Sequence, residues 1–158
     1  MCDYSLMALS NRLAQEGEEL VVHRFCTGSR GLASPADLNR VASRKIATLW
    51  ALMKEFFGPP PAETVCAVCV PPGARLELRG ISERLQRGLG VSPVERVTFT
   101  QISANPNSYR DAVRFANGRE ARLQEIPEGV RVKVLNLSMA EELYFESLRM
   151  GSDFQPVQ

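Results

Sequence analysis

Two short spacings carry the most chemistry in this chain. His23-x-x-Cys26 and Cys66-x-x-Cys69 together spell a Cys3His set, with the ligand types and pairwise spacing of a structural zinc site. Zinc or another transition metal is the cofactor such a set would take. Strand geometry works against it, because residues three apart on a regular strand face opposite sides and each pair would need a knuckle. Neither pair has the glycine that lets a knuckle turn beneath its metal, and Ala67-Val68 is plain strand material. The alternative is burial of free thiols in a core strand, a common place for cysteine. His23 is the only histidine, so multi-histidine metal sites are excluded within one chain. Any Ser-His-Asp or Cys-His catalysis must run through it.

Cys2 is a separate case. Removal of Met1 would leave an α-amine and a thiol on one residue, which suits an N-terminal nucleophile or a metal chelate, with Asp3 and Tyr4 to assist. N-terminal-nucleophile hydrolases use a larger two-sheet sandwich than this chain would build. The plainer reading is an exposed thiol at a frayed end. A thiol or metal protein of this sequence would centre on Cys2, Cys69 and His23, in metal handling or redox chemistry.

The stretch from Ile102 to Asp111 is long for a hairpin connection and dense in hydrogen-bonding groups. Asn105, Asn107, Tyr109, Arg110 and Asp111 are the expected ligand-binding residues, although Asn-Pro and Asn-Ser are also ordinary turn chemistry. Arg114, Arg119, Arg122, Arg131 and Lys133 fall on neighbouring strands, but Glu120 and Glu125 interrupt them and no stacking aromatics alternate with them. This reads as a solvated sheet face, and no nucleic-acid partner is expected. Thr27–Gly31 lacks the lysine and the length of a phosphate loop and reads as a flexible polar loop.

The elements that must position these groups begin with a sheet. From Val97 to Leu137, Val97/Phe99, Val113/Phe115 and Val130/Val132/Val134 alternate with polar neighbours, the period-2 signature of half-buried strands. Asn117-Gly118 turns one hairpin. A three-residue loop with Gly118 in a bulge sets Val113 opposite Ala121 and keeps one face apolar, whereas a two-residue loop sets it opposite Arg122. The bulged form is therefore expected. Glu19–Cys26 reads as a strand with Val21, His23 and Phe25 on one face. Glu63–Val70 reads as a central strand, with Arg75–Leu78 returning after Pro71-Pro72-Gly73. Ser82–Gly88 reads as a helical turn, and residues 1–15 show no strong periodicity.

One long helix is expected over 34–57. Ser34 can cap it, Pro35 suits its first position, and Asp37 sits where a capping box wants a carboxylate. Leu38, Val41, Ala42, Ile46, Leu49, Trp50, Met53 and Phe57 form an apolar stripe, and Gly58 with three prolines ends it. The stripe packs on the sheet or serves as a face for a protein partner or a second copy. Ser138 and Glu141 open a C-terminal helix over 139–150.

Three segments carry a resemblance: the opening Met1-Cys-Asp-Tyr-Ser-Leu6, Ala67–Gly73, and Gln101–Leu137. Together they cover somewhat under half of the chain and resemble a group of small uncharacterised bacterial proteins. The resemblance implies that Cys2 and Cys69 belong to a shared pattern, and it supplies no activity. That pattern has a histidine near Tyr109 and no long helix between its first two strands. This chain departs on both counts, which makes Ser34–Pro61 an insertion.

Composition bounds the rest. With 158 residues, 44% apolar and net charge +1, the chain reads as one domain over 1–150 with a loose tail over 151–158. No apolar run reaches the length of a spanning helix and no leader-like opening is present, so a cytoplasmic protein is expected. Four cysteines are too few for a disulfide scaffold of this size and read as free thiols or metal ligands. The expected architecture is α+β: a mostly antiparallel curled sheet or small β-barrel with the 34–57 helix across it. The expected function is a non-catalytic binding or accessory protein working through the Asn-rich loop and the helix. The thiol or metal protein is the alternative, and the N-terminal-cysteine hydrolase trails both.

Overall fold

The computed structural model describes residues 6, 9–52, 65–103 and 108–138, with side chains in the first helix described through Ser43. The expected C-terminal helix and residues 53–57 of the long helix lie outside them. So do Cys2, Asn105 and Asn107.

Among the described residues nine strands and two helices follow one another: β1 (Asn11–Leu13), β2 (Glu19–Arg24), β3 (Arg30–Ala33), α1 (Pro35–Leu52), β4 (Ala67–Cys69), β5 (Arg75–Arg79), α2 (Glu83–Leu89), β6 (Val94–Gln101), β7 (Asp111–Phe115), β8 (Glu120–Arg122) and β9 (Arg131–Asn136). They form one curled mixed sheet in the order β1-β4-β3-β2-β9-β5-β6-β7-β8. β1 runs parallel to β4, while β2–β3, β5–β6, β6–β7 and β7–β8 pair antiparallel. Among the described residues the curl is a half-barrel, open between β1 and β8.

The concave face is the core. Leu20, Val22, Leu32, Val68, Leu76, Leu78, Val97, Phe99, Val113, Phe115, Val132 and Val134 meet there in one buried cluster. Their period-2 spacing is what turns each strand's apolar set inward. Strand twist and a register shift between Arg75 and Leu76 give the sheet its curl. Leu85 and Leu89 of α2 pack against the same cluster. Ser82 starts α2, accepting from the Gln86 N–H at 2.9 Å, and Gly90 ends it at φ 63°.

A second, smaller cluster lies on the opposite face of β3 and β4, where Leu6, Phe25, Ala33, Ala67 and Cys69 are buried under Leu9 and Leu38. Leu38 brings α1 onto the sheet. At the start of α1 the Asp37 carboxylate pairs with Arg40 at 3.2 Å. β1 is fastened by Arg12, whose Nη1 meets Glu18 Oε2 at 3.1 Å while Nη2 reaches the other carboxylate oxygen.

The bulged hairpin is present: Val113 faces Ala121, Gly118 holds φ 80°, and the Phe115 N–H donates to the Arg119 carbonyl at 2.8 Å. Several expectations need correction. Arg30 and Gly31, read as flexible loop, belong to β3, because residues 25–29 close a tight hairpin in which Phe25 N–H donates to Ser29 C=O at 2.9 Å. β1 was not legible, being three residues held by its neighbour. β4 lies next to the sheet's edge strand rather than at its centre, and β5 does not return against it but sits between β9 and β6. β9 does not pair with β8. Residues 123–130 cross instead to the far side of the sheet, burying Leu123, Ile126 and Val130 on the way.

Candidate functional site

The loop between β6 and β7 is closed at its base by three bonds. The Ile102 N–H donates to the Arg110 carbonyl at 2.9 Å, the Gln101 amide donates to the Asp111 carboxylate at 3.0 Å, and the Ser108 hydroxyl donates to Ser103 Oγ at 3.2 Å. Above that base, Ile102, Ser103, Ser108, Tyr109 and Arg122 line a surface cleft of about 290 Å³. Ile102 and Tyr109 are two of the four large apolar side chains that are exposed among the described residues. An exposed apolar pair inside a concavity is less common than a scattered surface residue.

Each lining residue has a local reason for its place. Ile102 is the first residue after β6, just beyond the strand's alternation. Tyr109 is anchored by its hydroxyl, which accepts from the fully buried Ser29 at 3.3 Å and so ties the loop to the β2–β3 hairpin. Arg122 reaches the cleft through the hairpin register, which sets it opposite Ala112, the second residue of β7. The guanidinium of Arg122 has no ion pair among the described residues. Glu125 accepts from the Arg122 backbone N–H at 3.0 Å, and Glu120 holds Arg114 at 2.8 Å.

Of the expected binding residues, Tyr109 lines the cleft. Arg110 is half-buried behind it, and Asp111 is buried within β7, bonded to Gln101, so its role is to hold the loop base. Arg122 is the residue that sequence reasoning missed as a site group. The signal was available, because a register with Val113 opposite Ala121 already sets Arg122 against the loop's exit.

Among the described residues the thiol and histidine groups are not brought together. His23 projects from β2, where its Nδ1 meets Glu128 Oε1 at 2.9 Å and its ring stacks edge-on against Phe25 at 5.1 Å. Cys26 is exposed and free, Cys66 is half-buried and free, and Cys69 is disulfide-bonded to a partner outside the described residues. A sulfur in a disulfide is not a thiolate ligand, so the His23, Cys26, Cys66 and Cys69 set is not a zinc site here. Nor is Cys66-x-x-Cys69 a vicinal redox pair: three residues of extended chain separate the two Cα atoms by about 10 Å, beyond the reach of a disulfide. Among the described residues no group of three or more His, Cys, Asp or Glu is placed to hold a metal ion. No described helix is long and apolar enough to cross a membrane.

No protein-family model, curated protein or solved structure matches the chain.

Proposed function

We propose that this chain is a non-catalytic binding protein whose recognition site is the cleft beside the β6–β7 loop. The observation that carries the reading is the convergence of two exposed apolar side chains, Ile102 and Tyr109, with the guanidinium of Arg122, unpaired among the described residues, in one concavity. Binding sites join apolar surface to a few oriented polar groups in this way. The lone histidine is paired with Glu128 on another part of the sheet and is not a lining residue of the cleft. A protein partner or second copy on α1 belongs to the same reading as a further surface, since Ala42 of its stripe is exposed.

The test is amide chemical-shift mapping against a set of small aromatic and aliphatic probes of differing charge. Shifts gathered at Ile102, Ser108, Tyr109 and Arg122 support the reading. Shifts scattered over the surface, or none, overturn it.

A second reading rests on a different observation, the disulfide at Cys69. It makes the chain a thiol protein whose β4 is crosslinked through Cys69 under oxidising conditions.

A further inference from the structure

The cleft's lining has a chemical bias. Among the described residues its polar groups are two serine hydroxyls, one phenol and one guanidinium, with no carboxylate. The phenol and the guanidinium can each donate a hydrogen bond to a ligand, and the guanidinium is a permanent cation. Such a lining suits an anion and disfavours a cation.

The orientation of the donors strengthens the case. The Tyr109 and Ser29 hydroxyls lie 3.3 Å apart, and with Ser29 as the donor the phenolic proton is available to a second partner. Tyr109 and Arg122 both line the cleft. Among the described residues the guanidinium makes no ion pair, and Glu120 is engaged by Arg114. The apolar part of the lining is as specific. Ile102 is exposed at the loop's start, and the exposed Tyr109 ring offers a face for an apolar body.

Charge and size narrow the class further. One guanidinium compensates one negative charge and its planar fork matches a carboxylate, whereas a phosphate monoester brings a charge of about −1.5 to −2 at neutral pH. A cleft of about 290 Å³ has room for roughly ten water-sized groups. We propose that the cleft binds a small monocarboxylate with an apolar body, its carboxylate on Arg122 and the Tyr109 hydroxyl and its body against Ile102 and the Tyr109 ring. This rests on the reading of the cleft as the recognition site and goes further by naming what it recognises.

Four probes of one shape decide it: benzoate, phenyl phosphate, benzamide and benzylamine, each titrated into the full chain with amide shifts as readout. Benzoate is expected to bind at the cleft more tightly than the other three. Arg122→Gln is expected to weaken benzoate binding by about tenfold or more, as loss of a charge-assisted hydrogen bond does, and to leave benzamide binding unchanged. The variant will fold, because the Arg122 guanidinium is exposed and makes no ion pair among the described residues. Arg122→Lys, which keeps the charge and loses the fork, is expected to fall between the two. Equal binding of benzoate and benzamide overturns the carboxylate assignment, as does tighter binding of phenyl phosphate. In both cases the cleft stands as a binding site. If no probe shifts cleft resonances, the cleft reading itself falls.

Discussion

The side chain of Gln124 pairs with both backbone groups of Arg30: its Oε1 accepts from the Arg30 N–H at 2.9 Å and its Nε2 donates to the Arg30 carbonyl at 2.8 Å. Arg30 returns the contact, its Nη1 donating to the Gln124 carbonyl. A single amide thus occupies the place of a strand along β3. It links the segment after β8, one end of the sheet, to β3, and so fastens the curl where backbone pairing stops. Removing it leaves two part-buried backbone groups without these partners. Gln124→Ala is expected to destabilise the fold by about 1–3 kcal/mol. Gln124→Glu is expected to cost at least as much, since a carboxylate accepts but cannot donate to the carbonyl. Midpoints of urea unfolding for the two variants against the parent check this.

Gly31 is required for a different reason. A Cβ there would lie 2.5 Å from Leu6 Cδ1 and 2.9 Å from Phe25 Cε2. Both neighbours are buried in the second cluster, so neither can swing into solvent. Gly31→Ala is expected to cost about 1–3 kcal/mol through overpacking. Combined with Leu6→Ala, which opens the closer contact, it is expected to cost less than the sum of the two single changes. Thermal unfolding of the three variants measures the coupling. Simple additivity would show that Leu6 does not pack on Gly31.

How much of this was legible in the sequence depends on whether a residue's place follows from its neighbours or from distant pairing. The inward sets of β6, β7 and β9 followed from alternation alone, and the Gly118 bulge followed from keeping Val113 and Ala121 on one face. β1 and β3 are three and four residues long. Segments so short carry too few positions for a period to register, and they are strands because β4 and β2 hold them. The crossing of residues 123–130 is a tertiary event: Leu123 and Ile126 find more burial across the open half-barrel than a tight turn to a neighbouring strand would give them. The loop of the candidate site was found by composition. Its cation is not distinguishable in sequence, by residue type alone, from the other basic strand residues, Arg114, Arg119, Arg131 and Lys133. The structure separates them, pairing Arg114 with Glu120 and leaving Arg122 unpaired among the described residues.

Acid should loosen the β1–β2 corner first. The carboxyl of Glu18 is held below its ordinary 4.5 mainly by the hydrogen bond from Arg12, with help from the Gln15 backbone N–H at 3.0 Å, while partial burial opposes the shift. With the folded pKa depressed, the unfolded chain takes up this proton first. The contribution is therefore fully present above the unfolded value and is lost as pH falls below about 4.5 and through the folded pKa. Glu18→Gln is expected to be less stable than the parent at neutral pH, with the gap closing on acidification. Unfolding free energies of the pair measured from neutral to acid pH test this. A gap that stays constant on acidification would mean that Glu18 contributes through packing rather than charge.

The thiols give the last prediction, and it bears directly on the two functional readings. Four cysteines are in the sequence, Cys26 and Cys66 are free, and Cys69 is disulfide-bonded, which leaves Cys2 as the intrachain candidate for its partner. Without reductant, an aromatic disulfide reagent is expected to titrate two thiols, Cys26 quickly because it is exposed and Cys66 more slowly because it is half-buried. After denaturation and reduction it should titrate four. Cys2→Ser is expected to release a third thiol, at Cys69, and to lower stability by about 2–4 kcal/mol, the usual worth of a disulfide that closes a long loop. Cys26→Ser is expected to do neither. Four thiols reactive in the native, unreduced protein would remove the disulfide and with it the thiol-protein reading. Cleft binding that is unchanged by reduction would show that the two readings describe independent parts of the molecule. Binding that weakens when the disulfide opens would join them: β4 pairs with β3, and β3 follows the hairpin whose Ser29 holds Tyr109 in the cleft.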